Sequence, residues 1–163
     1  MNVAIVADSH IPSRAHRIPG TFRERIRAAD HVIHAGDFDS ESALADARDL
    51  ASTLTAVSGN MDPHLGLPSV ATVDVGGMAV VVTHGTGSPR NYEARVADIA
   101  REHADVPRPV AVAGHTHEVL DTTHEDVRVL NPGSVTGAPP ASRTTMMSAT
   151  VADGDLRVEV HEH

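Results

Sequence analysis

The chain has 163 residues, 22 acidic against 13 basic, a formal charge of −9, and no cysteine. That length suits one domain with a core of its own. The missing thiols exclude disulfides, zinc–thiolate sites and cysteine nucleophiles, and the acidic balance argues against a general nucleic-acid backbone binder, which needs a basic face.

The opening residues MNVAIVADSH lack a basic leader and run directly into VAIVA (3–7), so no signal peptide is expected. No apolar run nears the roughly 20 residues that span a bilayer; a cytoplasmic protein is the expectation. VAIVA is a continuous apolar run of the kind a strand covered on both faces shows. PGTFRERIRAA (19–29) sets Phe22, Ile26 and Ala29 on one face with Arg and Glu opposite, which predicts a helix. HVIHA (31–35) is the next strand, SESALADARDLA (40–51) the next helix with Ser40 as its N-cap, and TLTAV (53–57) a third strand. SVATVDV and MAVVVT flank Gly76-Gly77, a two-residue hairpin signal that breaks strict βα alternation and predicts a mixed sheet. SPRNYEARVADIAREHA (88–104) is a third helix with Tyr92, Val96, Ile99 and Ala100 on one stripe, and PVAVA (109–113) another strand. EVLDTT, VRVL, TTMMSATV and LRVEVH read as a run of short antiparallel strands, with Gly154 turning the last two. With no repeat, low-complexity tract or linker, 1–163 reads as a single α/β domain.

The polar residues fall in a positional pattern. Five strand-like runs each end in a metal-capable cluster: VAIVA-DSH, HVIHA-GD, LTAVS-GN, AVVVT-HG and PVAVA-GHTH. Each cluster taken singly reads equally well as a turn, because loop Asp, Asn and His commonly cap or turn the chain. Five independent turns need not all carry such residues just beyond an apolar strand, and ligands of open α/β sheets bind outside the carboxyl ends of the strands. The candidates are Asp8, His10, Asp37, Asn60, His84, His115 and His117. Seven N/O ligands are too many for one tetrahedral ion and suit two divalent ions sharing a bridge. Imidazole mixed with carboxylate and amide oxygen fits Mn²⁺ first, with Ni²⁺, Zn²⁺ or Fe²⁺ next, better than Ca²⁺ or Mg²⁺. A water held between two such ions loses a proton near neutral pH and becomes a nucleophile, while the ions clamp the oxygens of an in-line displacement at phosphorus. The ligand set therefore predicts a dimetal phosphoester hydrolase.

The order DSH, GD, GN, HG and GHTH, with the LNPGS segment at 130–134, resembles the calcineurin-like metallophosphoesterase superfamily, and in particular its small bacterial and archaeal phosphodiesterases. The resemblance implies a four-layer α/β/β/α sandwich with mixed β-sheets and a dimetal site at the C-terminal ends of the strands. Carried over by motif, it implies Asp8, His10 and His117 on one ion, Asn60, His84 and His115 on the other, and Asp37 bridging them. Asp37, Asn60 and His115 are the residues it implicates most directly in catalysis. Many members follow the ligand Asn with a His that assists the leaving group; here Met61 stands in that place, and a thioether cannot donate a proton.

His16 and His64 lie in loops near ligand motifs, where each either replaces that acid or is a surface histidine; Arg14 and Arg90 likewise either meet a substrate phosphate or solvate the surface. Asp62 either orients a ligand or caps its loop. His34 reads as a satisfied core or edge histidine, the LNPGS loop as scaffold, Ser134 as no nucleophile, and the terminal HEH as a solvated acidic tail. The expected partner is a small phosphoester, with no membrane and a homo-oligomer compatible with the sequence. Two rival readings stand beside the phosphodiesterase: a phosphomonoesterase or nuclease, and a binding scaffold of the kind formed by a eukaryotic retromer subunit of the same fold.

Overall fold

The computed structural model describes residues 1–163. In chain order its elements are β1 (Asn2–Val6), α1 (Gly20–Ala28), β2 (His31–His34), α2 (Glu41–Leu50), β3 (Leu54–Ala56), β4 (Val70–Val75), β5 (Met78–Thr83), α3 (Tyr92–His103), β6 (Val110–Val112), β7 (Val119–His124), β8 (Val127–Pro132), β9 (Thr145–Ala152) and β10 (Asp155–Glu162). They form two five-stranded sheets, ordered β10-β9-β1-β2-β3 and β4-β5-β6-β8-β7. In the first, β1, β2 and β3 run parallel and the β9-β10 hairpin joins antiparallel to β1. In the second, β5, β6 and β8 are parallel, with β4 and β7 antiparallel at the edges.

The alternation of side chains along the strands builds four layers. Val3 and Ile5 face inward to meet Val80, Val82, Val110, Val112 and Leu130 of the second sheet in one buried cluster. Their neighbours Ala4 and Val6 point the opposite way, onto Ile18, Phe22 and Ile26 beside and within α1. Val81 and Ala111 turn from the second sheet onto Tyr92, Val96, Ala97 and Ala100 of α3. Because both faces of these strands are covered, their runs are apolar throughout rather than alternating. α2 buries Ala43 and Leu44 against Phe38, and Ser40 caps it by accepting the Ala43 N–H at 3.1 Å.

Three expectations are corrected. The C-terminal third is not one antiparallel run: β8 lies parallel to β6 in the second sheet, whereas β9 and β10 return to the first, and apolar alternation cannot say which sheet a strand joins. The third helix starts at Tyr92 rather than near 88, because Asn91 ahead of it takes a left-handed conformation (φ 55°). The terminal His161 is no solvated tail residue; it lies buried in β10 with Nε2 at 2.7 Å from Ser148 Oγ. No helix is long and apolar enough to cross a membrane.

Candidate metal centre

All five clusters arrive at one rim, because β1, β2, β3, β5 and β6 present their carboxyl ends on the same side. The chain turns there by left-handed backbone. Of nine non-glycine residues with positive φ, six belong to these loops: Asp8 (53°), His10 (46°), Asp37 (61°), Asp39 (76°), His115 (75°) and His117 (61°). Such conformations cost on the order of 1 kcal/mol each and concentrate where geometry serves function. Glycine is required where the loops touch. A Cβ on Gly59 would overlap Asp37 Oδ1 and lie 2.7 Å from Asp37 Cγ, and one on Gly114 would lie 2.9 Å from Asp8 Oδ2.

The structure brings five of the seven candidate ligands into two overlapping groups and sets the other two, Asn60 and His115, against each other. Asp8 gathers with His10 and His117, and also with Asp37 and His84. Asp37 Oδ2 lies between the two groups, 3.4 Å from His10 Nε2 and 3.1 Å from His84 Nε2. Asn60 Oδ1 is 3.1 Å from His115 Nδ1.

The hydrogen bonds on the far nitrogen assign the tautomer of His10, His84 and His117. His10 Nδ1–H donates to Asp39 (3.0 Å to each oxygen), His84 Nδ1–H to Ala35 O (2.7 Å) and His117 Nδ1–H to Ala138 O (2.8 Å). His115 Nε2 meets both the carbonyl (3.2 Å) and the N–H (3.4 Å) of Gly87, so either of its ring nitrogens can carry the proton. In the neutral rings of His10, His84 and His117 the inner Nε2 therefore carries a bare lone pair. His10 Nε2 and His117 Nε2 face one another at 3.1 Å, lone pair toward lone pair, and His115 Nδ1 lies against the Asn60 oxygen. Buried Asp8 Oδ1 and His84 Nε2 have no hydrogen-bond partner. Imidazole nitrogens and carboxylate oxygens converge on this centre, an arrangement that divalent cations satisfy once the protons held there are displaced.

The electrostatics show which of these groups hold protons when no ion is bound. Burial pushes the Asp8 carboxyl up to about 7, with the charge of Asp37 adding to it and that of His84 opposing. Burial works against a charged His84, yet the carboxylates of Asp37 and Asp8 more than offset it and hold the imidazole above its ordinary value. Asp37 is held low in spite of burial, by His84 and by the Met61 N–H that donates to its Oδ1 at 2.8 Å. Burial lowers His115 and His117, which favours the neutral, ligating form.

A shell of further residues fixes these groups. Asp62 accepts the backbone N–H groups of Asp37 (3.1 Å), Asp39 (2.8 Å) and Gly59 (2.7 Å), tying two ligand loops to one carboxylate. Asp39, which sequence reasoning missed, orients His10; only its place two residues after Asp37 hints at it. The LNPGS segment is the brace expected of it. Buried Asn131 donates to Gly114 O, Tyr92 Oη and Thr116 Oγ1 and so holds the GHTH loop. Ser134 Oγ donates to Asp8 O, and Thr136 Oγ1 to Ser9 O. His34 is the satisfied core histidine expected: it accepts the Gly36 N–H, stacks on Phe38 at 3.7 Å, and is pushed by burial down to about 3. His16 and His64 are exposed on their loops, and Met61 is 46% exposed beside the Asp37 carboxylate.

The profile of the calcineurin-like phosphoesterase superfamily domain matches residues 1–154. A probable metallophosphoesterase of the archaeon Methanothermobacter thermautotrophicus is 33% identical over 98% of this chain and 91% of its own. Among solved structures, a Thermotoga maritima protein superposes with a TM-score of 0.76 at 27% identity, covering 99% of each chain. Vps29 of Chaetomium thermophilum superposes at 0.80 with 20% identity, covering all of this chain and 93% of its own, a likeness of fold. A four-layer sandwich with His, Asp and Asn converging at the strand ends is the frame of a metal-dependent phosphoesterase. The chain belongs to the calcineurin-like phosphoesterase superfamily.

Proposed function

We propose that the protein is a phosphodiesterase working with two divalent ions, Mn²⁺ first among them. Asp8, His10 and His117 would hold one ion, Asn60, His84 and His115 the other, with Asp37 shared. The observation that carries this is the convergence of histidine nitrogens and carboxylate oxygens in two groups that share Asp8, with His10 Nε2 and His117 Nε2 lone pair to lone pair. When bound, the ions supply Lewis-acid activation of water and neutralise charge on the phosphoryl oxygens. The chain's own residues do the positioning. Asp39, Ala35 and Ala138 hold the rings in their ligating tautomer, and Asp62 fixes the loops of Asp37 and Asn60 together. The neutral Asn60 amide limits the negative charge that an anionic ester meets. At the place of Met61 no group protonates the leaving oxygen, so esters with good leaving groups are the favoured substrates.

The test is metal analysis together with hydrolysis of bis(p-nitrophenyl) phosphate and p-nitrophenyl phosphate in added Mn²⁺, Ni²⁺ or Zn²⁺. The expected result is two ions per chain, a faster diester reaction, and its loss in Asp37→Ala and His84→Ala. Full activity in both variants would sink the assignment. Two bound ions with neither ester cleaved would turn the reading toward a scaffold.

A further inference from the structure

Arg14 follows the DSH ligand loop, and its backbone N–H donates to His10 O at 2.9 Å, so its place is set by a ligand residue. Its side chain reaches the strap 138–139: Nη1 donates to Pro139 O at 3.0 Å, while the carbonyl of the preceding residue, Ala138, accepts His117 Nδ1–H at 2.8 Å. The guanidinium and the His117 ring are thus held by adjacent carbonyls of one segment. No carboxylate lies within ion-pairing distance of Arg14, unlike Arg23, Arg101, Arg128, Arg143 and Arg157, which all pair with acids. Arg95, the other arginine near the centre, is engaged by the carbonyls of Gly85, Thr86 and Ser88. Arg14 remains exposed, with Nε and Nη2 without a protein partner. What sets Arg14 apart from the other unpaired arginines is its anchoring beside the His10 and His117 loops.

We infer that Arg14 is the anion-binding residue of the centre, its guanidinium taking a non-bridging phosphoryl oxygen of the bound phosphoester on the side formed by Asp8, His10 and His117. This rests on the phosphoesterase reading. The planar guanidinium suits this role, because one edge is fixed on Pro139 and the remaining N–H groups form the fork that phosphate oxygens accept. Arg90, equally placed by sequence, shows no such anchoring; only its backbone N–H is engaged, by Ser88 Oγ.

The experiment titrates inorganic phosphate into the metal-loaded protein by calorimetry and measures KM for both nitrophenyl esters. A hydrogen bond between charged groups corresponds to about a ten- to hundredfold effect. Arg14→Gln is therefore expected to weaken phosphate binding and raise KM by about that factor, more for the dianionic monoester than for the diester, with metal stoichiometry and melting temperature kept. Arg14→Lys recovers part of the affinity, and wild-type affinity falls with added salt more steeply than that of Arg14→Gln. A purely structural Arg14 would not produce the salt or charge dependence. Phosphate affinity in Arg14→Gln within twofold of wild type would overturn the inference. If the wild type binds phosphate on its ions but cleaves neither ester, the hydrolase reading falls while the phosphate titration still decides the role of Arg14.

Discussion

Asp62 offers the most exacting test of how the centre is held, because it lies outside the ligand set and yet ties two ligand loops. Its carboxylate accepts N–H groups from Asp37, Asp39 and Gly59 at 2.7 to 3.1 Å. Asp62→Ala leaves all three donors without that partner. Each fully dry donor would cost about 1–3 kcal/mol, and water reaches this half-buried loop, so the lower end applies. Three donors at about 1 kcal/mol each come to roughly 3 kcal/mol, which for a domain of this size is about 6–12 °C in melting temperature. Asp62→Asn keeps one acceptor oxygen and turns an NH₂ toward a donor, so it should fall between wild type and alanine. Metal affinity should drop about 10–100-fold in Asp62→Ala, the usual effect of losing a group that orients ligands. Urea unfolding of the metal-free protein and metal titration of each variant measure both quantities. If Asp62→Ala unfolds at the wild-type midpoint and binds metal within twofold, the carboxylate is only a turn cap and the two loops are not coupled through it.

Metal uptake should be strongly pH-dependent. The metal-free Asp8 carboxyl, at about 7 against an ordinary 3.8, favours the folded apoprotein fully below pH 3.8 and loses that contribution as pH rises through 7. The raised His84 acts in the same direction. Ions must displace these protons, so apparent affinity falls from about pH 8 to about pH 6 with proton release; calorimetry in buffers of differing ionisation enthalpy should show less release in Asp8→Asn. Gly59→Ala places a methyl group on Asp37 and should destabilise by about 1–3 kcal/mol while metal content at equal ion concentration collapses. Asn131→Ala, at a fully buried site away from the lone pairs, should cost about 2–4 kcal/mol in unfolding free energy and slow hydrolysis through the GHTH loop; unchanged kinetics would show that loop to be self-supporting. Met61→His should raise turnover of esters with poor leaving groups selectively, seen as a flatter dependence of rate on leaving-group pKa.

The sequence alone determined most strands and helices and the metal-capable residues beyond the strand ends. Those signals are local: apolar runs of strand length, the helical stripe of Phe22 and Ile26, Ser40 ahead of a helix, and Gly76-Gly77 between two strands whose partners Val75 and Met78 flank the turn. The clustering of Asp, Asn and His beyond five apolar strands was legible for the same reason, since every parallel strand delivers its carboxyl end to one rim. Only the tertiary structure decided which sheet β8 and β9 joined, because an alternating strand satisfies either sheet equally until its neighbour is known. It alone revealed Asp39 on His10, Asn131 on the GHTH loop and the adjacent carbonyls that hold His117 and Arg14. These contacts join residues many positions apart, with no periodicity linking the partners. The segment Ser58–Asp62, which follows β3, shows the division within one short stretch. Its Asn60 follows from the strand before it, whereas the grip of Asp62 on Asp37 and Asp39 exists only once β2 and β3 lie side by side.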